Sequence, residues 1–451
     1  MKINYSKITE GNYEKAKTAL SKWVQINSIH DEKTVAPGKP FGEGVYQALR
    51  YIGHLAESEG FKVDYCDGYA TEISYGEGPI IGIYSHCDVV PVSGDWKYPP
   101  FSGKVEGTQM FGRGTSDDKG PGIAAFFALK ALKDQGLING FQVRHVVGGN
   151  EEKGSRCLDY YFHHLKRPNP KFGFTPDAEF PLIYGEKGIS NYQTRFTSKL
   201  GPVLSIEAGV VANSVIDLAK ATLSEKGNLE DVLKKYGFAY TLVKENDRYV
   251  VTIKGKAAHG SIPEMGVNAG LQLIKALGEA FALAPLTTLA SLYADPSGKS
   301  LNEFYESKLL HATTYNVGLI SYDGKELSLI CNFRYPETVN PLEVIARIGD
   351  KSPGSTRVLS TSRSLLMDPE SPMIKTLLGV YQQETGDTVT PIMAIGGGTY
   401  AKEAQNTVAF GSNFPGKDDH IHDANEKIDL DDFKKSMAIY AHAIHALGNL
   451  Q

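Results

Sequence analysis

Pro79-Ile-Ile-Gly-Ile-Tyr-Ser85 is an apolar run of strand length, and it delivers His86 and Asp88 in the segment His86-Cys-Asp-Val-Val-Pro91. Other runs behave in the same way. Phe141-Gln-Val-Arg-His-Val-Val147 leads through Gly148-Gly-Asn150 into Glu151-Glu152, and Lys171-Phe-Gly-Phe-Thr175 leads into Asp177. Thr407-Val-Ala-Phe-Gly411 precedes the loop that holds His422. Short apolar strands alternating with helical patterns predict an α/β fold with a doubly wound, largely parallel sheet. In such sheets ligands bind beyond the carboxyl ends of the strands, so these scattered segments are expected to meet at one rim. A further acid, Asp117, lies in Gly112-Arg-Gly-Thr-Ser-Asp-Asp-Lys-Gly120. Imidazoles and carboxylates without thiolates suit zinc, cobalt or manganese. Two imidazoles and three carboxylates are enough for two metals sharing one carboxylate, an arrangement that activates water for hydrolysis.

The bulk properties narrow the field. At 451 residues the chain has room for two or three domains. Its net charge of −5 gives no case for nucleic acid or an anionic membrane as partner. No apolar stretch is long enough to span a bilayer. The opening Met1-Lys-Ile-Asn-Tyr-Ser lacks the apolar core of a signal peptide. Cys66, Cys87, Cys157 and Cys331 form no Cys-x-x-Cys pair, and such sparse usage predicts reduced thiols in a cytoplasm. Side chains alternate along an extended segment, so Cys87 is expected to point away from the face shared by His86 and Asp88.

Helical spacing is read at about 11–27 and 43–58, with strands near 61–66, 70–75 and 79–85. A buried helix opens at Lys119 and stops at Gly136; strand 141–147, helix 154–165 and strand 171–175 continue the alternation. Near Tyr184-Gly-Glu-Lys-Gly188 the character changes to alternating strands, with helices near 213–224, 266–282 and 341–349. Residues 312–320 and 325–333 flank Asp323-Gly324 as a hairpin. The α/β pattern resumes after residue 363, with a helix near 370–385 and a last one over about 430–447. For His422 to lie beside His86, the C-terminal part must rejoin the N-terminal part. The expected organisation is a catalytic domain over 1–186 and 364–451, interrupted by an α+β domain over 187–363.

Ser-His-x-Asp-Val-Val-Pro, Gly-Arg-Gly-x-x-Asp-Asp-Lys-Gly, Asn-Glu-Glu, Pro-Asp-Ala-Glu and His-x-x-x-Glu occur here in one order along nearly the whole chain. In this the chain resembles the di-zinc metallopeptidases that include aminoacylase, carboxypeptidase G and several dipeptidases. Within them it is most similar to the bacterial peptidase V-type (Xaa-His, carnosinase-like) dipeptidases. The resemblance implies that His86 and Asp177 bind one zinc, Glu152 and His422 the other, and that Asp117 bridges them across a cis peptide to Asp118. It further implies that Asp88 orients the His86 imidazole, that Glu151 is the general base, and that the inserted domain is a lid contributing Asn213, His259 and Arg334 to the substrate.

Taken alone, many of these residues have ordinary readings. Asp117-Asp118 would be an acidic helix start, Glu151-Glu152 an exposed pair, His259 a loop histidine and Arg334 half of a surface ion pair. Asp118 is read as structural. His422 is preferred to His420 because its spacing to Glu426 matches the family, and Glu426 is either a partner of the ligands or a solvated acid. Gly396-Gly397-Gly398 lacks a P-loop pattern and is read as backbone that contacts a substrate carboxylate. The expected activity is cleavage of dipeptides with a free N-terminus by a hydroxide bridging two zinc ions, manganese or cobalt being possible. His259 would stabilise the oxyanion. The alternatives are an N-acyl amino acid deacylase or desuccinylase on the same scaffold, and a metal-dependent binding protein without turnover. The enlarged lid favours a monomer over a homodimer.

Overall fold

The computed structural model describes residues 3–450, which divide into two compact units. The first comprises the chain up to Tyr184, Met367–Met393, and Thr399 onward; the second comprises Gly185–Leu366 together with Ala394–Gly398.

The first unit is built on a sheet with strands in the order Lys62–Asp64, Ala70–Gly76, Gln142–Gly148, Ile80–His86, Phe172–Thr175 and Thr407–Ala409. The last four pair in parallel. Ile80–His86, near the centre, is buried from Ile81 onward and correspondingly apolar. The outer strands Lys62–Asp64 and Ala70–Gly76 pair antiparallel. Only residues 65–69 separate them, too short a connection for a parallel crossover. Helix Lys119–Asp134 is buried on all sides from Lys119 to Leu129. It can start so close to the preceding loop because Gly120 has no Cβ, which would lie 1.9 Å from the Thr115 carbonyl oxygen. The final helix Leu430–Gly448 is capped by the Asp429 carboxylate, which accepts from the N–H groups of Asp431 and Asp432. Trp23, Phe126, Phe127 and Tyr440 are among the large side chains of this unit's core.

Two of the parallel strands end at one level, and Phe172–Thr175 ends two residues short of it. His86 pairs with Gly148, and the Cys87 N–H donates to the Gly148 carbonyl at 2.9 Å. Glu151 and Asp177 follow within three residues of their strand ends. Cys87 is fully buried and free, as are the other three cysteines in being buried and unpaired.

The second unit carries an eight-stranded sheet in the order Ala239–Glu245, Arg248–Lys254, Leu218–Leu223, Val203–Ala208, Thr314–Tyr322, Glu326–Tyr335, Gly188–Thr197 and Ser355–Ser362. Every neighbouring pair in it is antiparallel. The hairpin at Asp323-Gly324 forms: Gly324 has φ +90°, and the Asp323 carboxylate accepts from the N–H groups of Lys325 and Glu326. A second tight hairpin, absent from the sequence reading, turns at Asn246-Asp247, both at positive φ. The helix expected over 213–224 is instead the strand Leu218–Leu223. In Leu-Ala-Lys-Ala-Thr-Leu the buried positions are Ala219, Ala221 and Leu223, a period of two. Alanine favours helix, but pairing on both sides of the segment overrides that preference. Helices Ala269–Ala280 and Pro341–Lys351 form where expected. Among the described residues no helix is long and apolar enough to cross a membrane.

Candidate metal centre

The first unit brings His86, Asp117, Glu152, Asp177 and His422 together. The Asp117 carboxylate lies between the two imidazoles, with Oδ1 2.9 Å from His86 Nε2 and Oδ2 2.8 Å from His422 Nε2. Asp177 lies 3.5 Å from the same His86 nitrogen, and Glu152 lies 3.3 Å from the same His422 nitrogen. Each imidazole thus faces one private carboxylate and one oxygen of a shared one. Ligand atoms of His86, Asp117 and Glu152 fall within 4.8 Å of one another, as do those of His86, Asp118 and Asp177. The peptide bond between Asp117 and Asp118 is cis.

Charge in this cluster is strongly interdependent. Burial works against the Asp117 anion, but the imidazoles of His422 and His86 outweigh it and hold the carboxyl well below the usual range. Burial, reinforced by Asp117, pushes Glu152 up to about 7. Burial likewise holds Glu151 well above the carboxylate range, with Asp177, Glu152 and Asp117 adding to the effect. Carboxylates crowded in a low-dielectric rim repel one another. An imidazole and carboxylate set with this excess of acids fits a pair of divalent cations.

Asp88 does hold the His86 imidazole, chiefly through its backbone. The His86 Nδ1 is held by the backbone carbonyl of Asp88 at 2.9 Å, and the Asp88 carboxylate stands 3.5 Å away. That carboxylate instead accepts from the N–H groups of Glu151 and Glu152, at 3.0 and 3.2 Å. An aspartate beside an imidazole can orient it through either group, and sequence does not distinguish them. Asp118, read as structural, accepts the backbone N–H of His86 at 3.0 Å. Glu426 is fully buried and accepts from Arg113 and from the N–H groups of Gly114, Ser116 and Asp117. The solvated alternative for Glu426 is therefore overturned. Arg113 was given no role in the sequence reading, although an arginine between two glycines of a ligand loop is a signal once its burial is known.

The second unit gathers the remaining residues. His259 Nδ1 lies 2.7 Å from the Ser261 hydroxyl, and Arg334 Nη2 lies 3.4 Å from His259 Nε2. Arg334 is buried, which overturns the surface ion-pair reading. Its Nε donates to Asn332 at 2.9 Å and its Nη1 to the Gly396 carbonyl at 2.5 Å. Burial lowers its guanidinium to about 10. The backbone carbonyl of Asn213 accepts the Gly260 N–H at 2.7 Å, which sets Asn213 beside His259. Gly397 and Gly398 follow Gly396 in the same short segment of this unit. A cavity of about 620 Å³ opens next to the cluster, lined by Lys187, Ser261, Glu264, His311 and Gly396 among others.

An acid-rich cluster of ligand type at the carboxyl rim of a parallel sheet is an arrangement suited to metal-assisted hydrolysis. The chain belongs to peptidase family M20/M25/M40, whose model matches residues 82–446. It is 35% identical over 447 residues to "Putative dipeptidase YtjP" of Bacillus subtilis (strain 168), spanning 94% of this chain and 95% of that one. It is 33% identical over 463 residues to a Staphylococcus epidermidis protein described in the same terms, with the same coverage. Human carnosine dipeptidase 1 shares the fold at TM-score 0.61 and 14% identity, over 99% of this chain and 98% of that one. The di-peptidase Dug1p of Saccharomyces cerevisiae does so at TM-score 0.61 and 16% identity, over 98% of both chains.

Proposed function

We propose that this peptidase cleaves dipeptides with a free N-terminus, using two divalent cations, with zinc favoured by the donor set and manganese or cobalt as alternatives. The observation that carries the reading is the Asp117 carboxylate, whose two oxygens point to two different imidazoles. His86 and Asp177 would hold one cation, Glu152 and His422 the other, and Asp117 would serve both. When bound, the cations would polarise the scissile carbonyl and lower the pKa of the attacking water.

The protein's own groups supply the rest. Among the described residues the Glu151 carboxylate makes no ion pair, while its neighbour Glu152 faces His422. Asp88 grips the backbone of both, so the two side chains leave one fixed turn with different duties. Glu151 takes the proton from water and returns it to the leaving amine. Arg334, its fork oriented by Asn332 and Gly396, takes the terminal carboxylate of the substrate, helped by Asn213 and the 396–398 backbone. His259 stabilises the developing oxyanion, and Asp177 meets the free amine. On this reading the second unit is the lid of a two-domain enzyme, acting as a cytoplasmic monomer.

The test compares Gly-Leu, Gly-Leu-amide and N-acetyl-Gly-Leu at equal metal loading. Only the free dipeptide should turn over well, and Arg334→Lys should impair it despite keeping the charge. Equal rates on the free and amidated forms would remove the Arg334 clamp. Faster cleavage of the acetylated form would make the enzyme a deacylase, and no hydrolysis of any of the three would leave a binding protein.

A further inference from the structure

Arg113 and Glu426 are 1% and 0% exposed, and they form an ion pair at 2.7 Å far from each other in sequence. Burying two charges costs several kcal/mol per ion unless hydrogen bonds take up their polar groups; Arg113 Nε has no such partner, and the remaining contacts join two loops. Glu426 Oε1 accepts three backbone donors of one loop, the N–H groups of Gly114 at 2.9 Å, Ser116 at 3.0 Å and Asp117 at 3.2 Å. Glu426 Oε2 accepts from Arg113 Nη1, and Arg113 Nη2 donates to the backbone carbonyl of His422 at 3.1 Å. The two loops are joined at their backbones as well. The Gly112 N–H donates to the Glu426 carbonyl at 2.9 Å, and the Ser116 hydroxyl to the Lys427 carbonyl at 2.7 Å.

The two sides of the centre therefore rest on this pair unequally, although both share Asp117, which it anchors. His422 sits on an irregular loop, at φ +65°, with no strand ladder or helix to place it. Arg113 and Glu426 tie its backbone to that of Asp117, while Asn425 of the same loop is held by Lys97 and Asp95. His86 ends a central strand paired on both sides, and is held separately by Asp118 and by the Asp88 carbonyl.

We infer that the Arg113–Glu426 pair is a positioning device that fixes the spacing of His422 from Asp117, and so governs affinity for the cation at Glu152 and His422 more strongly than for the cation at His86 and Asp177, which shares Asp117 but has further supports of its own. The inference rests on the dinuclear reading above. A pair that merely stabilised the fold would not distinguish the two positions.

The experiment titrates metal-free wild type, Glu426→Gln and Arg113→Lys with Co²⁺, following its absorption, and with Zn²⁺ in competition with a chromophoric chelator. Melting of each metal-free protein reports whether it is folded. Wild type should take up two ions per chain. Glu426→Gln keeps the side-chain size but sets an amide against Arg113, and it should bind one ion within threefold of wild type and the other 10–100-fold more weakly, the usual cost of losing an outer support. Arg113→Lys keeps the charge but loses the fork that reaches His422, and should weaken the same ion by less. Should Glu426→Gln not fold, Arg113→Lys decides. Wild type taking up fewer than two ions would sink the dinuclear reading and this inference with it. Two ions in wild type with both affinities unchanged in the folded variants, or both weakened equally, would overturn this inference alone.

Discussion

Two adjacent glutamates show how far a residue's environment can divide identical chemistry. Glu151 and Glu152 share one backbone anchor on Asp88, yet Glu152 lies 3.3 Å from His422 and Glu151 has no ionic partner among the described residues. Glu151→Gln should therefore keep its metal, measured by elemental analysis after dialysis, while kcat falls about 10²–10⁴-fold, the usual worth of general acid–base catalysis. Turnover near wild type in the fully loaded variant would take the base role from Glu151. At this scale sequence was informative where a residue type has few alternatives. A histidine and an aspartate at the end of an apolar strand have few reasons to be there. It was uninformative where the same type has many uses, as with Glu426, whose burial comes only from the loop that folds over it.

Secondary-structure elements carry a different kind of information. The strand Gln142–Gly148 places Glu151, and it also buries His145 completely against Ser85, with the Ser85 hydroxyl 2.7 Å from Nε2. Burial lowers His145 to about 3, against about 6.5 for an unfolded histidine. Between those values the unfolded chain binds a proton that the folded chain refuses. His145 thus leaves stability undiminished above about pH 6.5 and subtracts from it as pH falls toward 3, at up to about 1.4 kcal/mol per pH unit. Denaturant melts of wild type and His145→Gln from pH 7.5 to 5 should show a shallower loss in the variant, whatever its stability at neutral pH. Parallel slopes would mean that His145 is not the group responsible. The strands of this sheet were legible because buried parallel strands are continuous apolar runs. Leu218–Leu223 was not, because a short run containing two alanines satisfies helical and extended periods alike until its neighbours pair with it.

At the scale of the whole molecule, the acids and imidazoles of the candidate centre all belong to the first unit, and the His259–Arg334 cluster belongs to the second. Each unit has its own hydrophobic core, so a single two-state transition is not expected. Each cation bound by the folded first unit should stabilise it by about 2.7 kcal/mol at a hundredfold excess over its Kd. In calorimetry, chelation should lower one transition and readdition of Zn²⁺ should restore it, while the transition of the second unit stays in place. Equal movement of both transitions would show that the units melt as one, and movement of neither would argue against tight cation binding.

The amino-acid sequence alone determined the class of fold, and it offered the candidate ligands and an interrupted α/β unit as expectations. The fold class follows from local patterns, namely apolar period and turn chemistry, whereas the bridging place of Asp117 and the choice of His422 over His420 rest on the resemblance of the motifs to the family. Tertiary structure decided what the ligands rest on. It chose the Asp88 carbonyl over its carboxylate for the His86 imidazole, buried Arg334 without a carboxylate, and drew Glu426 across more than three hundred residues of chain to the loop of Asp117. Such partners depend on which hydrogen-bonding groups are left unsatisfied when distant segments pack, and no window of sequence contains both halves of that account.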